Sequence, residues 1–95
     1  MESIISTEKR CYVCGEVKDL ELHHIFFGVS NRKLSTKWGL TCYLCHECHQ
    51  GRWGVHGYDG YELNTSLKKE AQKKWMEYFG KTKEDFISIF GKSYI

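Results

Sequence analysis

The chain has 95 residues, of which 41% are hydrophobic and 15% aromatic, a composition typical of one packed domain and unlike that of a disordered chain. Its net charge is only +2, from 14 basic and 12 acidic residues, so charge alone identifies no partner. No apolar run approaches the roughly 18 residues of a membrane-spanning helix, and no signal-like N-terminus is visible, so we expect a cytoplasmic protein without membrane contact.

The first two thirds of the chain predict short elements. Residues 1–9 lack a periodic pattern and are expected to form a loose N-terminal arm. Apolar and polar residues alternate at the start of 20–26, which predicts a strand, and a polar loop over 28–37 and a second strand over 40–44 should follow. A helical turn or two is expected over 46–52, after which glycines at positions 51, 54, 57 and 60 interrupt regular structure.

The last third predicts two helices and is mildly basic. The first helix should begin at a cap on Asn64 or Thr65 and end at Gly80. Its apolar residues recur at every fourth position, at Leu67, Ala71, Trp75 and Phe79. The second helix should begin at a capping box from Thr82 to Asp85 and end before Gly91. Together, the strands and helices predict a single α+β domain.

Four cysteines form two Cys-x-x-Cys pairs, Cys11 with Cys14 and Cys45 with Cys48. Four thiolates at this spacing predict a closed tetrahedral zinc site. Cys42 offers an alternative spacing to Cys45, but it falls within a predicted strand and is expected in the core. An odd number of cysteines and no signal sequence disfavour a disulfide-stapled secreted domain. Such a zinc contributes folding free energy on the order of 10 kcal/mol.

Five histidines accompany the cysteine pairs. His23 and His24 lie near the end of a predicted strand, His49 directly follows the second cysteine pair, and His56 lies in the glycine-rich stretch. Three imidazoles suit Zn²⁺, Ni²⁺ or Mn²⁺ with positions left for water and phosphate, and a fourth nearby can accept a proton from that water. A chance histidine doublet on an exposed strand is the alternative explanation.

The stretch from Leu22 to Ile25, followed by the stretch from Leu44 to His49, resembles the HNH endonucleases, also called ββα-metal or His-Me finger nucleases. The Cys11 and Cys14 pair is typical of their zinc-bearing subgroup. Three further short sequence motifs, at residues 24–28, 31–33 and 54–56, are similar to those of small HNH proteins encoded by bacteriophages. The resemblance covers about residues 11–57. It implies a zinc-stapled ββα-metal core over 10–57, with two additional C-terminal helices over 64–95.

The resemblance also implies an activity, a cofactor and partners. The chain should be a phage-encoded, metal-dependent endonuclease that hydrolyses DNA phosphodiester bonds in the host cytoplasm, using Mg²⁺, Mn²⁺, Ni²⁺ or Zn²⁺. His24 corresponds to the general base, and His23 and His49 correspond to ligands of the catalytic ion. DNA should be bound through its phosphates with little sequence specificity. Phage packaging or recombination proteins are further expected partners.

Three positions depart from the family pattern. Trp53 stands where many members place a further histidine ligand, and we expect His56 to replace it. The asparagine that orients the catalytic loop in the family usually lies around Gly39 or Leu40, where this chain has none. Asn31 is the one nearby candidate for this role, the alternative being an ordinary loop residue. Phe27 stands where a proline is common.

Candidate phosphate contacts close to the motif are Arg32, Lys33, Lys37 and Arg52. The rival hypothesis is a catalytically inactive, zinc-ribbon-like module that binds nucleic acid or protein. Such a module has no need of His23, His24 and His49 together, so their joint presence favours the enzyme.

Overall fold

The structure is a computed structural model that describes all residues from 1 to 95. Its elements are β1 (Leu20–His24), α1 (Val29–Trp38), β2 (Thr41–Cys45), α2 (His46–Gln50), α3 (Tyr61–Phe79) and α4 (Lys83–Phe90). The two strands pair antiparallel, with Leu20 opposite Cys45 and His24 opposite Thr41. This small two-stranded sheet with helices around it confirms the predicted α+β class. None of the helices combines the length and the apolar character needed to cross a membrane.

Both strands lie close to their predicted positions. β1 ends at His24, two residues earlier than expected, and β2 is shifted by one residue toward the C-terminus. The helical turn expected over 46–52 is α2, which begins directly after Cys45.

A helix replaces the loop expected over 28–37. In α1, Leu34 and Trp38 are four residues apart and pack against the core, with the fully buried Ser35 beside them. Gly39 ends the helix in the left-handed conformation, and its N–H donates to the Ser35 carbonyl. The loop prediction was wrong because a serine occupies the most buried position of the helix, so the apolar periodicity is weak.

The C-terminal helices largely follow the prediction. α3 begins at Tyr61 after Gly60 rather than at a cap on Asn64 or Thr65, and it ends at Gly80 as expected. The predicted buried stripe is present at Leu67, Ala71 and Trp75. The capping box of α4 is also confirmed: Thr82 Oγ1 accepts the Asp85 N–H at 3.1 Å, and Asp85 accepts the Thr82 N–H at 3.0 Å.

An aromatic core joins these helices to the segment after β1. Phe26 is fully buried, and its ring centroid lies 5.3 Å from that of Phe86, 5.0 Å from that of Phe90 and 5.3 Å from that of Tyr94. Trp75 packs against Phe86 at 5.3 Å. The chain that immediately follows His24 is therefore held by α4 and by the C-terminal residues.

The N-terminus is not the loose arm that was expected. The Ile4 N–H donates to the Gly39 carbonyl at 2.9 Å, and the Ser3 hydroxyl donates to the Thr41 carbonyl. Ile5 is buried in the core. These contacts attach residues 3–5 to the start of β2, and sequence periodicity does not reveal contacts of this kind.

Candidate active site and metal centres

The Sγ atoms of Cys11, Cys14, Cys45 and Cys48 all lie within 4.8 Å of one another. The sulfurs of Cys14 and Cys45 are 3.7 Å apart. Sulfurs bound to zinc at about 2.3 Å in a tetrahedron lie about 3.8 Å apart, so the observed spacing fits this ion. None of the cysteines forms a disulfide. The four cysteines are therefore placed to hold a structural metal such as zinc.

Cys42 stands apart from this cluster, as predicted. It is 1% exposed, and burial raises the pKa of its thiol to about 12, so it remains protonated. Burial alone would also raise the pKa of Cys11, but hydrogen bonds from the backbone of Cys14 and Cys45 help to lower it to about 6. Burial and the neighbouring sulfurs raise the pKa of Cys48. Four thiolates this close repel one another, so only a central cation can keep all of them ionised.

A second cluster consists of His23, His49 and His56, whose ring nitrogens lie within 4.8 Å of one another. The ring centroids of His23 and His49 are 5.1 Å apart, those of His23 and His56 are 5.3 Å apart, and those of His49 and His56 are 4.8 Å apart. His23 is 1% exposed and His49 is 9% exposed. His56 is exposed, so the cluster is buried on the side of His23 and His49 and open to solvent on the side of His56.

Glycines at every third position fold residues 51–60 back against α2. The His56 N–H donates to the His49 carbonyl at 3.0 Å, which places the two imidazoles side by side. A Cβ on Gly57 would lie 1.9 Å from the Gly51 carbonyl oxygen, and one on Gly60 would lie 1.7 Å from that of Gly54. The glycines, expected only to interrupt structure, build the tight turns that bring His56 to the site.

The environment of His23 fits a metal ligand. Its Nε2 is buried and has no hydrogen-bond partner. Burial, followed by the neighbouring His49 and His56, lowers the pKa of His23 to about 3, so the imidazole is neutral and keeps a lone pair. An unpaired buried nitrogen costs free energy, and a bound cation removes that cost. The three imidazoles thus form a suitable donor set for a divalent transition ion.

A carboxylate behind the cluster orients His49. Glu21 Oε1 lies 2.7 Å from His49 Nδ1, and Glu21 Oε2 lies 3.0 Å from His46 Nδ1. With its Nδ1–H donated to Glu21, His49 has Nε2 available for an ion. Sequence reasoning missed Glu21. Its one signal was its position two residues before His23, on the same face of a strand.

His24 ends β1 and lines a cleft of about 210 Å³. The other lining residues are Leu22, His23, Phe27, Arg32, His49 and His56. His24 is half-buried, and burial, with a further contribution from the Arg32 charge, lowers its pKa, so the ring is neutral at neutral pH. His24 therefore lies beside the cluster, next to its open face.

Only one of the four expected phosphate contacts lines this cleft, namely Arg32. Lys33 and Lys37 are exposed elsewhere on α1. Arg52 Nε lies 2.5 Å from Asp59 Oδ2, so a carboxylate already neutralises this guanidinium. The structure therefore does not place Lys33, Lys37 or Arg52 at the site.

Ser35, rather than Asn31, contacts the backbone just after His24. Asn31 lies in α1, and its side chain makes no hydrogen bond. The Ser35 Oγ accepts the Phe26 N–H at 3.0 Å and donates to the Phe26 carbonyl at 2.6 Å. Both groups are buried, and they fix the backbone two residues after His24. A lone serine in a polar stretch offers no sequence signal for this role.

No protein-family model, curated protein or solved structure matches the chain. The four sulfurs suit a structural cation whose coordination is complete. The three imidazoles suit a cation that keeps open coordination positions for water or another ligand.

Proposed function

We propose that the protein is a metal-dependent endonuclease of the HNH type that hydrolyses DNA phosphodiester bonds, with a structural zinc on its four cysteines. The observation that carries this proposal is the clustering of the His23, His49 and His56 imidazoles, in which the His23 Nε2 is buried and unpaired. A further imidazole, that of His24, lines the same cleft. An inactive zinc-ribbon-like module that only binds nucleic acid or protein has no need of a solvent-accessible histidine cluster.

His23, His49 and His56 would hold the catalytic ion. A divalent ion such as Mg²⁺, Mn²⁺, Ni²⁺ or Zn²⁺ supplies Lewis-acid stabilisation of the negative charge that builds on the phosphoryl and leaving oxygens. Glu21 keeps the His49 ring in one orientation, since its carboxylate accepts the Nδ1–H. The exposed side of His56 leaves the substrate a way in.

His24 acts as the general base. A neutral imidazole accepts the proton of the attacking water, and this one is neutral at working pH. The anchored Phe26 and its contact with Ser35 keep the backbone after His24 from shifting. Arg32, on the same cleft, is placed to bind a non-bridging phosphate oxygen.

The charge of the cleft favours an anionic substrate. Arg32 is the one charged side chain in its lining, and no acidic side chain contributes to it. Arginine and ion contacts of this kind recognise the phosphate backbone rather than the base sequence. We therefore expect duplex DNA to be cut with little sequence preference.

Nicking of supercoiled plasmid tests the proposal. We expect wild-type protein to nick the plasmid when Mg²⁺, Mn²⁺ or Ni²⁺ is present. The His24→Ala variant should be about 100-fold slower or more, because it loses general-base catalysis while keeping its fold and its zinc. Tyr58→Ala is the control, because Tyr58 is 92% exposed and does not line the cleft.

The same assay decides against the proposal in two ways. A wild-type protein that retards the plasmid on a gel but leaves it intact with every ion is the inactive zinc-bearing binding module. A His24→Ala variant that cuts as fast as wild type shows that another group is the base.

A further inference from the structure

We infer that Lys68 of α3, together with Lys92 and Tyr94 near the C-terminus, forms a binding site for a backbone phosphate of DNA beside the histidine cleft. The inference rests on the proposed function and extends it, because it assigns a second phosphate contact outside the motif. The site is made by parts of the chain that lie far from β1 and α2 in sequence.

Lys68 lies next to the cleft. Its Nζ is 4.3 Å from the ring centroid of Phe27, which lines the cleft, and the Phe27 ring is 4.8 Å from that of His56. One aromatic ring therefore separates the ammonium group from the imidazole cluster.

The Lys68 ammonium is held without an acidic partner. Its Nζ also lies 5.3 Å from the ring centroid of Tyr94, and the Lys92 Nζ lies 4.9 Å from the same ring. None of the ion pairs in the protein includes Lys68 or Lys92. Burial, with a contribution from Lys92, lowers the pKa of Lys68. Two like charges that share one ring are relieved by a bound anion, which would stabilise both.

The C-terminal part of this site is fixed rather than frayed. Gln72 of α3 is fully buried, and its Nε2 donates to Ser93 Oγ at 3.0 Å while its Oε1 accepts the Tyr94 N–H at 2.7 Å. The Tyr94 ring packs 5.3 Å from the buried Phe26 ring. The platform for the two ammonium groups is thus part of the packed core.

A phosphate of the DNA strand is the anion that fits. Lysine binds phosphate as a mobile point charge and needs no fixed geometry, which suits successive phosphates along a backbone. DNA that places one phosphate at the histidine cluster carries its neighbours past the rim of the cleft, where Lys68 lies. The site therefore positions the strand without reading bases.

Binding of a short labelled DNA duplex tests the inference without any cleavage. The zinc-loaded protein is titrated without a second divalent ion at several salt concentrations, for wild type, Lys68→Met and Lys69→Met. Lys69 is the matched control, since it is the next residue of α3 and is exposed. Methionine keeps the apolar stem of either lysine, and circular dichroism checks the fold.

We expect Lys68→Met to raise the Kd by roughly fivefold to tenfold at 0.1 M salt and to reduce the salt slope by about one. Lys69→Met should change the slope clearly less, and Lys68→Arg should restore it. Equal Kd values and slopes for Lys68→Met and Lys69→Met overturn the inference, even if wild type nicks plasmid. If wild type never nicks while the Lys68 effect holds, the nuclease proposal fails and the phosphate site stands.

Discussion

At position 35, one buried hydroxyl accepts the Phe26 N–H and donates to the Phe26 carbonyl. Both backbone groups are out of contact with water, so no other partner replaces Ser35 when it is removed. The contact joins α1 to the chain just beyond His24. Ser35 therefore holds the backbone two residues beyond the proposed base.

The substitution Ser35→Ala should lower the free energy of unfolding by about 1–3 kcal/mol, because it leaves buried N–H and C=O groups unpaired. It should also slow nicking while the protein still binds its metals. Thermal melting and the plasmid assay measure the two effects. Ser30→Ala, an exposed position on the same helix, is the control. If both variants melt and cut alike, Ser35 has no positioning role.

Individual residues of the clusters were easier to predict than their supporting residues. Metal-binding residue types at characteristic spacings mark both clusters in the sequence. The structure brings together the four cysteines, and separately His23, His49 and His56. Glu21 and Ser35 act through hydrogen bonds to groups distant in sequence, with no pattern of their own. Lys68 is one of several lysines on α3 until its aromatic neighbours are known.

Among the elements, the accuracy of the prediction depended on how clearly the sequence pattern marks the buried face of each helix. In α3 the buried residues Leu67, Ala71 and Trp75 recur at every fourth position, so the sequence pattern predicts the helix. A capping box marks the start of α4. α1 buries a serine, so its pattern is that of a loop. The glycines of 51–60 suggest flexibility by composition, whereas close packing of their backbones makes the segment compact.

The glycine-rich segment yields a prediction. In Gly57→Ala the new methyl group would lie 1.9 Å from the Gly51 carbonyl oxygen and 2.4 Å from that of Arg52, so the turn must open. We expect His56 to move away from His49 and the affinity of the imidazole cluster for Ni²⁺ to fall at least tenfold, as measured by calorimetry. The zinc on the cysteines should be retained.

A substitution at an exposed residue of the same segment serves as the control. Tyr58 is 92% exposed, so Tyr58→Ala should leave the Ni²⁺ affinity unchanged. A Gly57→Ala variant that binds Ni²⁺ like wild type would mean that the turns do not position His56.

For the whole molecule, the cysteine cluster links the parts that carry the histidines. Cys11 and Cys14 precede β1, whereas Cys45 and Cys48 span the junction of β2 and α2. A cation at this point would tie the segment before β1 to the junction of β2 and α2, and His49 directly follows Cys48. The C-terminal helices hold the other side through the aromatic core. A chain of 95 residues needs both kinds of support.

The binding of a second ion by imidazoles is decided by counting metals on the zinc-loaded protein with native mass spectrometry during a Ni²⁺ titration. We expect one zinc and one nickel per wild-type chain, the same two ions on His24→Ala, and zinc alone on His49→Ala with the fold intact. A wild-type chain that takes up no second ion, or a His49→Ala chain that binds nickel as tightly as wild type, would contradict the assignment of the histidine cluster as a metal site.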